Sequence, residues 1–572
     1  MTFTTVNQGR VDVDRDGNRV NYLTTMNGKL CQNFDFTLEP STHAFSGAPI
    51  ANPNSSQRIG NQLRGTLLLQ DVNLIEMIQS LDRERVPERV VHARGCGAHG
   101  YFEVIRDMTD VTSAEFLGRV GKRTPLFARF STTAGEKGSP ETIRDTRGFA
   151  FKLYTSEGNL DWAFLSQPVF SIRDGAKFPS FVHATKKNPQ TGLPDHTMFW
   201  DYFNKNPEAI HFLMFLFSDR STPVDFQHAD IFSVNTYRFT KTDGTFSYVK
   251  LHIKSNQGNQ YLTAAEAKKR AGEDPDYMTR SLHDDIENGK FPSWDVYGQI
   301  ISPDVAEKYS IDIFDPTKTL PSKDFPYRPF GRIVLNKNVG DNFAEAEQVA
   351  FSPANVVPGW ALTPDPVLQL RAFAYQDAQR YRLGANFIQL PINRPKQSFN
   401  PLRRDGPANF QGSAGAAPYY PSSFQHLDTA PQYAEAGEEN WNGRVVNFES
   451  KLMEDDFAQP REFWERILSK EPGQQENLVS NVAEHLALAL PDVREKTCSL
   501  FGRVHQNLGH KIRLATEREA HKLELRKVEK QFERLSLPFQ PRSARTALDK
   551  NEYLPCSFDR LAPNAGLIGR NF

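Results

Sequence analysis

A chain of 572 residues is longer than one hydrophobic core usually serves, so several coupled structural regions are expected. Its 68 basic and 69 acidic residues are interspersed, and no basic patch carries interleaved aromatics, which argues against nucleic acid as a partner. The four cysteines are widely spaced, without CxxC or CxxCH, which argues against a disulfide framework, a zinc ribbon and covalently attached haem.

The first residues contain no apolar leader, and no run of about eighteen apolar residues occurs along the chain. We therefore expect a protein that does not span a membrane and is not secreted by the usual route, with the cytoplasm as its default location. No GxGxxG motif opens a βα unit, so a dinucleotide-binding dehydrogenase fold is not a competing interpretation.

The predicted elements begin with an arm, residues 1–80, which has polar turns and little core of its own. From about 85 to 340, short β-rich runs recur, and Phe246–Ile253 alternates apolar with polar residues as a half-buried strand does. Several such strands with turns between them predict a closed antiparallel barrel. The other runs of this kind are Ala150–Tyr154, Val234–Phe239 and Gly331–Leu335.

A connection rich in Pro and Asn runs from about 385 to 440, which is too long for an ordinary loop and is expected to pack against the rest of the protein. From about 459 to 530 the pattern becomes helical, as in residues 460–468 and 477–490. The charged stretch Glu517–Glu533 predicts a solvated helix.

Residues 371–383 carry the strongest chemical signal. Arg371 precedes Tyr375 by one helical turn and Arg382 follows it by two, and residues four apart share one helix face. A guanidinium beside a phenol favours the phenolate, which is a good ligand for ferric iron. This spacing indicates that Tyr375 binds haem iron, although an amphipathic surface helix with a half-buried tyrosine has the same pattern.

Motifs upstream decide between these interpretations. In one unbroken order the chain has Arg85-Val-Pro-Glu-Arg89-Val-Val-His92-Ala, Thr124-Pro-Leu-Phe-Ala-Arg129-Phe-Ser131-Thr, Arg144-Asp-Thr-Arg-Gly148-Phe and Phe217-Ser-Asp-Arg220. In these motifs the chain resembles the haem catalases of the small-subunit type, from about residue 55 to 400, with a weaker continuation to about 515. Many members of that family are peroxisomal, although the last residues here do not match the Ser-Lys-Leu address.

The resemblance implies an α+β catalase fold, in which an eight-stranded antiparallel β-barrel is accompanied by an N-terminal arm, a wrapping segment and a C-terminal helical region. The expected boundaries are 1–80 for the arm, 81–340 for the barrel, 341–458 for the ligand helix and wrapping segment, and 459–572 for the helices and tail. The wrapping segment and the arm predict intertwined subunits, with a homotetramer expected as in the family.

The resemblance also implies roles at matching positions. His92 matches the catalytic distal histidine, Ser131 the serine that fixes its tautomer, and Tyr375 the iron ligand. Contacts to haem b are implied for Arg89, Val91, Arg129, Phe178, Arg371 and Arg382, and contacts to NADPH for His211, Ser218, Arg220 and Lys254. Taken singly, His92 fits a structural role and Val91 and Phe178 fit ordinary core positions.

NADPH binding stays open on the sequence. Many relatives that bind it have Trp-Pro-His where this chain has Leu320-Pro-Ser322, so two contacts are in doubt.

Departures from the family pattern fall in the distal pocket. Where catalases read Gly-Asn-x-Asp-x-x-x-Asn-Asn-Thr-Pro, this chain places Leu165 at the first asparagine of the pair, and leucine cannot donate a hydrogen bond. Ser166 and Gln167 are the candidate replacements. The family's second pocket phenylalanine is Ser171 and its channel valine is Thr133, whereas the channel acid, Asp145, is retained.

Three hypotheses follow. The favoured one is a haem-dependent oxidase or peroxidase that acts on a small organic metabolite with a reduced-oxygen species, similar to the fungal chanoclavine synthases. The alternative is a true catalase, whose distal changes are neutral drift, and the third is a silent haem-binding protein. Oxygen release from hydrogen peroxide distinguishes the first two, and the organic substrate and the oxidant are left open.

Overall fold

The structure, a computed structural model, describes residues 44–60, 63–397, 400, 402–424 and 444–536, together with the short strands Asp12–Val13 and Arg19–Val20. For residues 531–536 it describes the backbone only. None of the helices in these ranges combines the length and the apolar character needed to cross a membrane.

Twelve strands are found in the described part of the chain. In order they are β1 Asp12–Val13, β2 Arg19–Val20, β3 Gly95–Val104, β4 Arg123–Thr132, β5 Arg147–Tyr154, β6 Asn159–Leu165, β7 Ile231–Phe232, β8 Tyr237–Thr240, β9 Phe246–Ser255, β10 Ser293–Ile301, β11 Tyr327–Asn338 and β12 Trp360–Ala361.

Eight of these strands close into an antiparallel barrel, as expected. Their order around it is β3, β4, β5, β6, β7, β9, β10 and β11, and β11 pairs back with β3. β8 pairs with β9, and β12 with β8, so these two strands extend the sheet beside the barrel. Closure leaves the eight strands without a free edge, which stabilises a sheet of this length.

Alternate residues of each strand fill the barrel. Phe130 of β4 and Phe149 of β5 are fully buried inside it, with their rings 5.1 Å apart in an edge-to-face arrangement. Because successive side chains of a strand point to opposite faces, Ser131 and Gly148, which follow and precede these two rings, face outward. At this point the outer face of the barrel therefore carries one small polar side chain and one glycine.

Twelve α-helices accompany the strands within the described residues. They are α1 Val72–Leu81, α2 Phe178–Ala184, α3 His196–Lys205, α4 Ile210–Phe217, α5 Ala264–Glu273, α6 Tyr277–Glu287, α7 Pro303–Lys308, α8 Pro366–Leu383, α9 Ala458–Glu462, α10 Gln474–Leu486, α11 Pro491–Val504 and α12 Gln506–Ser536.

Helix α8 has well-defined ends. The buried carboxylate of Asp365 accepts the backbone N–H groups of Val367 and Leu368, each at 3.0 Å, and Pro366 follows at a position where no N–H is needed. Gly384, with φ of 98°, ends the helix in a backbone region that favours glycine. The helix that carries Tyr375 is thus fixed at both ends by local sequence.

A second core joins α10, α11 and α12 to α3 and α4. Buried polar contacts tie the same regions together, since Asp219 accepts a hydrogen bond from Asn477 at 2.6 Å and lies 3.7 Å from the guanidinium of Arg144. The large apolar side chains that meet there include Trp200, Leu213, Leu478, Phe501 and Ile512.

One predicted strand was partly wrong. The run Val234–Phe239 forms a strand only from Tyr237, because Ser233, Val234 and Asn235 make a tight turn in which the Asn235 N–H donates to the Ser233 carbonyl at 2.6 Å. The other three runs lie in β5, β9 and β11, and the helical pattern from 459 appears as α9 to α12. Residues 425–443 of the predicted wrapping segment and most of the arm fall outside the described residues.

Lys152 and Asp161 form a fully buried ion pair, with the ammonium 2.8 Å from both carboxylate oxygens. Changing Lys152→Met leaves a buried carboxylate without its cation, which should lower the free energy of unfolding by about 3–5 kcal/mol. Urea unfolding checks this. The matched control is Lys187→Met, whose pair with Glu136 is half exposed and should matter by less than about 1 kcal/mol; equal losses in both variants would contradict the prediction.

Candidate functional site

His92 lies on the loop between α1 and β3, with the imidazole on the outer face of the barrel. Its Nδ1 is 2.9 Å from the Ser131 hydroxyl, and its backbone N–H donates to the Thr133 carbonyl at 3.0 Å. Its φ of 63° is rare for a residue with a side chain and is held by these contacts. Burial, with help from Arg129 and other nearby cations, lowers the pKa of His92 to about 3, so the ring is neutral near pH 7.

Gly148 forms the floor beneath this ring. A methyl group built on its Cα would lie 2.3 Å from His92 Nδ1 and 2.6 Å from the Ser131 hydroxyl oxygen, closer than atoms can approach. The imidazole therefore rests directly on the backbone of β5, and only glycine allows this position.

The cross-strand register places Leu165 beside the same ring. Ser131 pairs with Gly148, Gly148 with Leu165, and Leu165 with Phe232, so these four residues form one row across β4 to β7. Directly opposite residues in an antiparallel pair point to the same face, with Cβ atoms roughly 5 Å apart. Since the side of Gly148 that a Cβ would occupy faces His92, Leu165 faces it too.

On the proximal side, Arg371 of α8 donates to the Tyr375 hydroxyl oxygen at 3.0 Å, as the helical spacing predicted. The same guanidinium donates to the Ala163 carbonyl at 2.5 Å and to Asn235 Oδ1 at 2.6 Å. Burial alone would lower the pKa of Arg371, but the phenols of Tyr375 and Tyr237 beside it raise that pKa above its ordinary value.

Asn235 is a contact that the sequence did not reveal. Its Oδ1 accepts from Arg371 while its Nδ2 donates to Asp365 at 2.7 Å, so a neutral amide separates a buried carboxylate from a partly buried guanidinium. The tight turn described above presents this amide, with Val234 at φ of 61°. No local sequence motif predicts these contacts of Asn235, because its partners lie more than a hundred residues away in sequence.

Three of the predicted arginines meet around Glu347. Arg382 donates to the Glu347 carboxylate at 3.0 Å, Arg89 lies 3.9 Å from it, and Arg129 donates to the His92 carbonyl at 2.8 Å. All three guanidinium groups are buried. Burial, followed by repulsion from Arg129 and Arg382, lowers the pKa of Arg89, and only Glu347 opposes this.

Comparisons with known proteins show the family to which the chain belongs. The family model described as catalase matches residues 43–426, and the model described as catalase-related immune-responsive matches residues 450–516. Catalase A of Botryotinia fuckeliana is 65% identical over 456 residues, covering 79% of this chain and 95% of the relative. The chain belongs to the catalase family.

Two further catalases are similar to this chain over most of their length. Peroxisomal catalase A of Saccharomyces cerevisiae is 45% identical over 480 residues, covering 82% of this chain and 93% of the relative. A crystal structure of a fungal catalase superimposes with a TM-score of 0.81 at 43% identity, covering 83% of this chain and 96% of that one. The barrel and helical regions described above are therefore those of catalases.

Membership of the catalase family implies haem, and the residues present fit it. A buried group of three guanidiniums with one carboxylate has an excess of positive charge, which the two propionates of haem would neutralise. Nη1 of Arg89, which lies 3.9 Å from Glu347, and Nε of Arg129 are buried donors without a hydrogen-bond partner among the described residues. Two of the arginines predicted to contact haem thus have donors that could bind its propionates.

The row of the barrel next to Leu165 supports the same placement. Arg129, Ala150 and Ala163 face outward one row away, and Arg371 reaches the carbonyl of Ala163. His92 therefore lies against the row of Gly148, and Arg371, which contacts Tyr375, reaches the next row. The predicted apolar haem contacts, Val91 and Phe178, are partly buried at the edge of the second core.

The candidate replacements for the missing distal amide have other partners. The Ser166 hydroxyl oxygen accepts the Arg147 backbone N–H at 2.9 Å, and the Gln167 amide, fully buried, donates to the Ser221 hydroxyl at 2.7 Å. Neither side chain takes the place of an amide at Leu165.

The other two changes in the pocket differ in their effect. The Thr133 hydroxyl donates to the Thr146 carbonyl at 2.7 Å. Ser171 is fully buried, and its hydroxyl has no hydrogen-bond partner among the described residues. Asp145 accepts the backbone N–H groups of Thr133 and Ala134, each at 2.7 Å, and burial raises the pKa of its carboxyl.

Two of the residues predicted to contact NADPH are buried beneath the surface. His211 lies in α4, with its Nδ1 lacking a partner, and burial lowers its pKa to about 3. Ser218, at the end of α4, is fully buried and its hydroxyl donates to the Phe215 carbonyl at 2.8 Å.

The other two are cations with partners of their own. Arg220 donates to Glu471 at 2.6 Å and lies 5.3 Å from the ring centre of Phe463. The ammonium of Lys254 is 4.9 Å from the ring of Tyr297. Glu471 offsets the charge of Arg220, whereas the aromatic contact of Lys254 leaves its charge intact, so NADPH binding stays a prediction from the resemblance.

Changing Gly148→Ala should displace the His92 ring while haem still binds, because the added methyl group collides with the imidazole rather than with the arginines or Tyr375. We expect the rate of reaction with peroxide to fall on the order of a hundredfold, as misplacement by about 1 Å can cost. Stopped-flow spectroscopy measures this. The control is Gly138→Ala, at which an added methyl group meets nothing within 4 Å; equal rates in the two variants would refute the prediction.

The low pKa of His92 has a consequence for stability. Between pH 6.5 and pH 3 the unfolded chain binds a proton at this residue that the folded chain does not, so stability is lost as the pH falls through that window. At pH 5 the loss due to His92 should be about 2 kcal/mol. The variant His92→Asn keeps a residue that tolerates positive φ. Between pH 7.5 and pH 5 its free energy of unfolding in urea should fall by about 2 kcal/mol less than that of the wild type. Identical pH dependence in the two proteins would disprove this.

Proposed function

We propose that this protein disproportionates hydrogen peroxide to water and dioxygen with haem as its cofactor. The observation that supports this most directly is that the His92–Ser131 pair rests on Gly148, while the Arg371–Tyr375 pair contacts Ala163 in the neighbouring row on the same face of the barrel. The catalase names of the relatives reported above favour the same activity.

The residues of the chain supply proton transfer and positioning, while bound haem supplies an iron at which the peroxide bond is cleaved. Ser131 engages His92 Nδ1, which leaves Nε2 as the free nitrogen of the neutral ring. That nitrogen takes the proton from one peroxide oxygen and returns it to the other as it leaves as water. Tyr375, held by Arg371, is the residue that would bind the iron.

A second candidate function is oxidation of a small organic metabolite with peroxide or superoxide, in the manner of the chanoclavine synthases. Leu165 favours it, because the wall beside His92 lacks the amide that would bind the second peroxide oxygen. The names of the relatives favour disproportionation of hydrogen peroxide over oxidation of an organic metabolite.

We further propose that the protein assembles as a homotetramer. Helix α1 has no buried residue, and its exposed apolar side chains continue a stretch in which Leu63 and Leu69 are 93% and 88% exposed. On α8, Phe373 and Tyr381 are 73% and 78% exposed. Apolar surface of this extent is typical of an interface between subunits, and light scattering would test the assembly.

The name of the Saccharomyces cerevisiae relative favours the peroxisome over the cytoplasm as the location of this protein.

Oxygen release decides between the two functions. Purified holoprotein should release dioxygen from hydrogen peroxide, and Leu165→Asn should raise the rate by roughly ten- to a thousandfold because one preorganised donor is typically worth that much. An oxygen electrode measures both. A wild-type rate near the diffusion limit would remove the organic-substrate candidate, and no oxygen release from either protein would refute the catalase proposal.

The axial ligand can be tested by spectroscopy. Tyr375→Phe removes the phenol oxygen, so the phenolate-to-iron charge-transfer absorption of the ferric protein should disappear. Tyr381→Phe, an exposed tyrosine on the same helix, is the control and should keep the spectrum. If the Tyr375 variant kept the ferric absorption of the wild type, the assignment of the ligand would be wrong.

A further inference from the structure

The last helix, α12, extends beyond the part of the chain that the family models match. The catalase-related model ends at residue 516, whereas α12 continues to Ser536. The first half of α12 belongs to the second core, where Leu508 and Ile512 are fully buried. Between residues 521 and 530 Leu523 is partly buried and every other side chain is exposed. This part of α12 therefore packs on little of the chain that the structure describes.

Three apolar side chains lie on the side of α12 that faces away from the second core. With 3.6 residues per turn, Leu514 lies about 200° around the helix from Ile512, and Leu525 follows the buried Thr516 by about two and a half turns. Leu514, Leu525 and Val528 are 46%, 50% and 48% exposed, and we call them the outer stripe of α12. Since the stripe faces away from α10 and α11, only a partner from outside this core can cover it.

The outer stripe has the spacing of a coiled coil. Steps of four and three residues alternate along the inner positions of such a helix, and here they fall on residues 514, 518, 521, 525 and 528. The residues that flank the inner positions face each other across a coiled-coil interface. Lys522 and Glu529 flank the stripe along one edge, and Glu517 and Glu524 flank it along the other.

These flanking charges favour a second α12 helix, in antiparallel orientation, as the partner of the stripe. When Leu525 faces Val528 of the second copy, Lys522 of each helix lies opposite Glu529 of the other. A shift by one heptad in either direction places two lysines or two glutamates opposite each other. A parallel pair places Glu524 opposite Glu529. Among these arrangements, only the first brings opposite charges together without like charges.

We propose that two copies of this chain associate through antiparallel pairing of their α12 helices, with Leu525 against Val528 at the centre. Such an interface is isologous, because each helix offers the same surface to the other. Lys522 donates to Glu519 of its own helix at 2.6 Å, but this exposed contact is worth little and leaves the lysine available to a second helix. Glu529 has no ion-pair partner among the described residues.

Disulfide trapping in the full-length holoprotein measures this pairing directly. Leu525→Cys combined with Val528→Cys places a thiol of each helix opposite a thiol of the other, so disulfide-linked dimers of the chain should form in a glutathione buffer. The matched control combines Lys527→Cys with Lys530→Cys, which have the same spacing on another side of the helix and are exposed. A non-reducing gel quantifies the dimer, and haem absorption shows that each variant is folded.

Charge reversal in the Leu525→Cys, Val528→Cys protein tests the register. Lys522→Glu or Glu529→Lys alone places like charges opposite each other, which should lower the ratio of dimer to monomer by about tenfold or more. The two changes together restore opposite charges and should restore the ratio. Lys527→Glu makes the same change of charge as Lys522→Glu outside the interface and should leave the ratio unchanged.

The outcomes decide both the pairing and its orientation. Loss of dimer in each single charge variant, with recovery in the double variant, would establish the antiparallel pair. A dimer yield no higher than that of the control with Lys527→Cys and Lys530→Cys would overturn the pairing, and this result is expected if another segment of the same chain covers the stripe. Dimers of Leu514→Cys alone would overturn the antiparallel orientation, because only a parallel pair brings this residue opposite itself.

Discussion

The candidate site depends on the hydrogen bonds of one partly buried guanidinium, that of Arg371. Its donors reach the Ala163 carbonyl of the barrel, the Asn235 amide of a turn and the Tyr375 hydroxyl of its own helix. One side chain therefore sets the position of α8 against the barrel and the position of the phenol within the cleft. Because the Asn235 amide lies between Arg371 and the Asp365 carboxylate, the guanidinium contacts the Tyr375 hydroxyl directly and the carboxylate only through that amide.

The opposite side of the cleft depends on backbone geometry rather than on charge. His92 can rest on β5 only because residue 148 lacks a side chain, and the strand register then brings Leu165 to the edge of the same ring. Around this apolar wall lie Arg89, Arg129 and Arg382, whose charges exceed that of Glu347. A planar dianionic ligand would satisfy both features, with its acid groups at the arginines and its apolar body at the small side chains.

The sequence alone was sufficient for features carried by local spacing or by a continuous motif. The Arg371–Tyr375 contact follows from helix periodicity, the His92–Ser131 contact from the matched motifs, and the barrel from alternating strands. It was insufficient where a partner is distant in sequence. Asn235 and Glu347 were missed for this reason, and the burial of Ser171 could not be read from its position beside Phe170.

The turn at Val234 links the assembly of the site to the folding of the whole chain. A β-branched residue at φ of 61° is unfavourable by about 1–3 kcal/mol when the segment is considered alone. The contacts that offset this cost, from Asn235 to Asp365 and Arg371, span 130 and 136 residues of sequence. The turn should therefore take its native shape only after α8 has docked, so that the ligand side of the cleft is completed late and cooperatively rather than nucleating the fold.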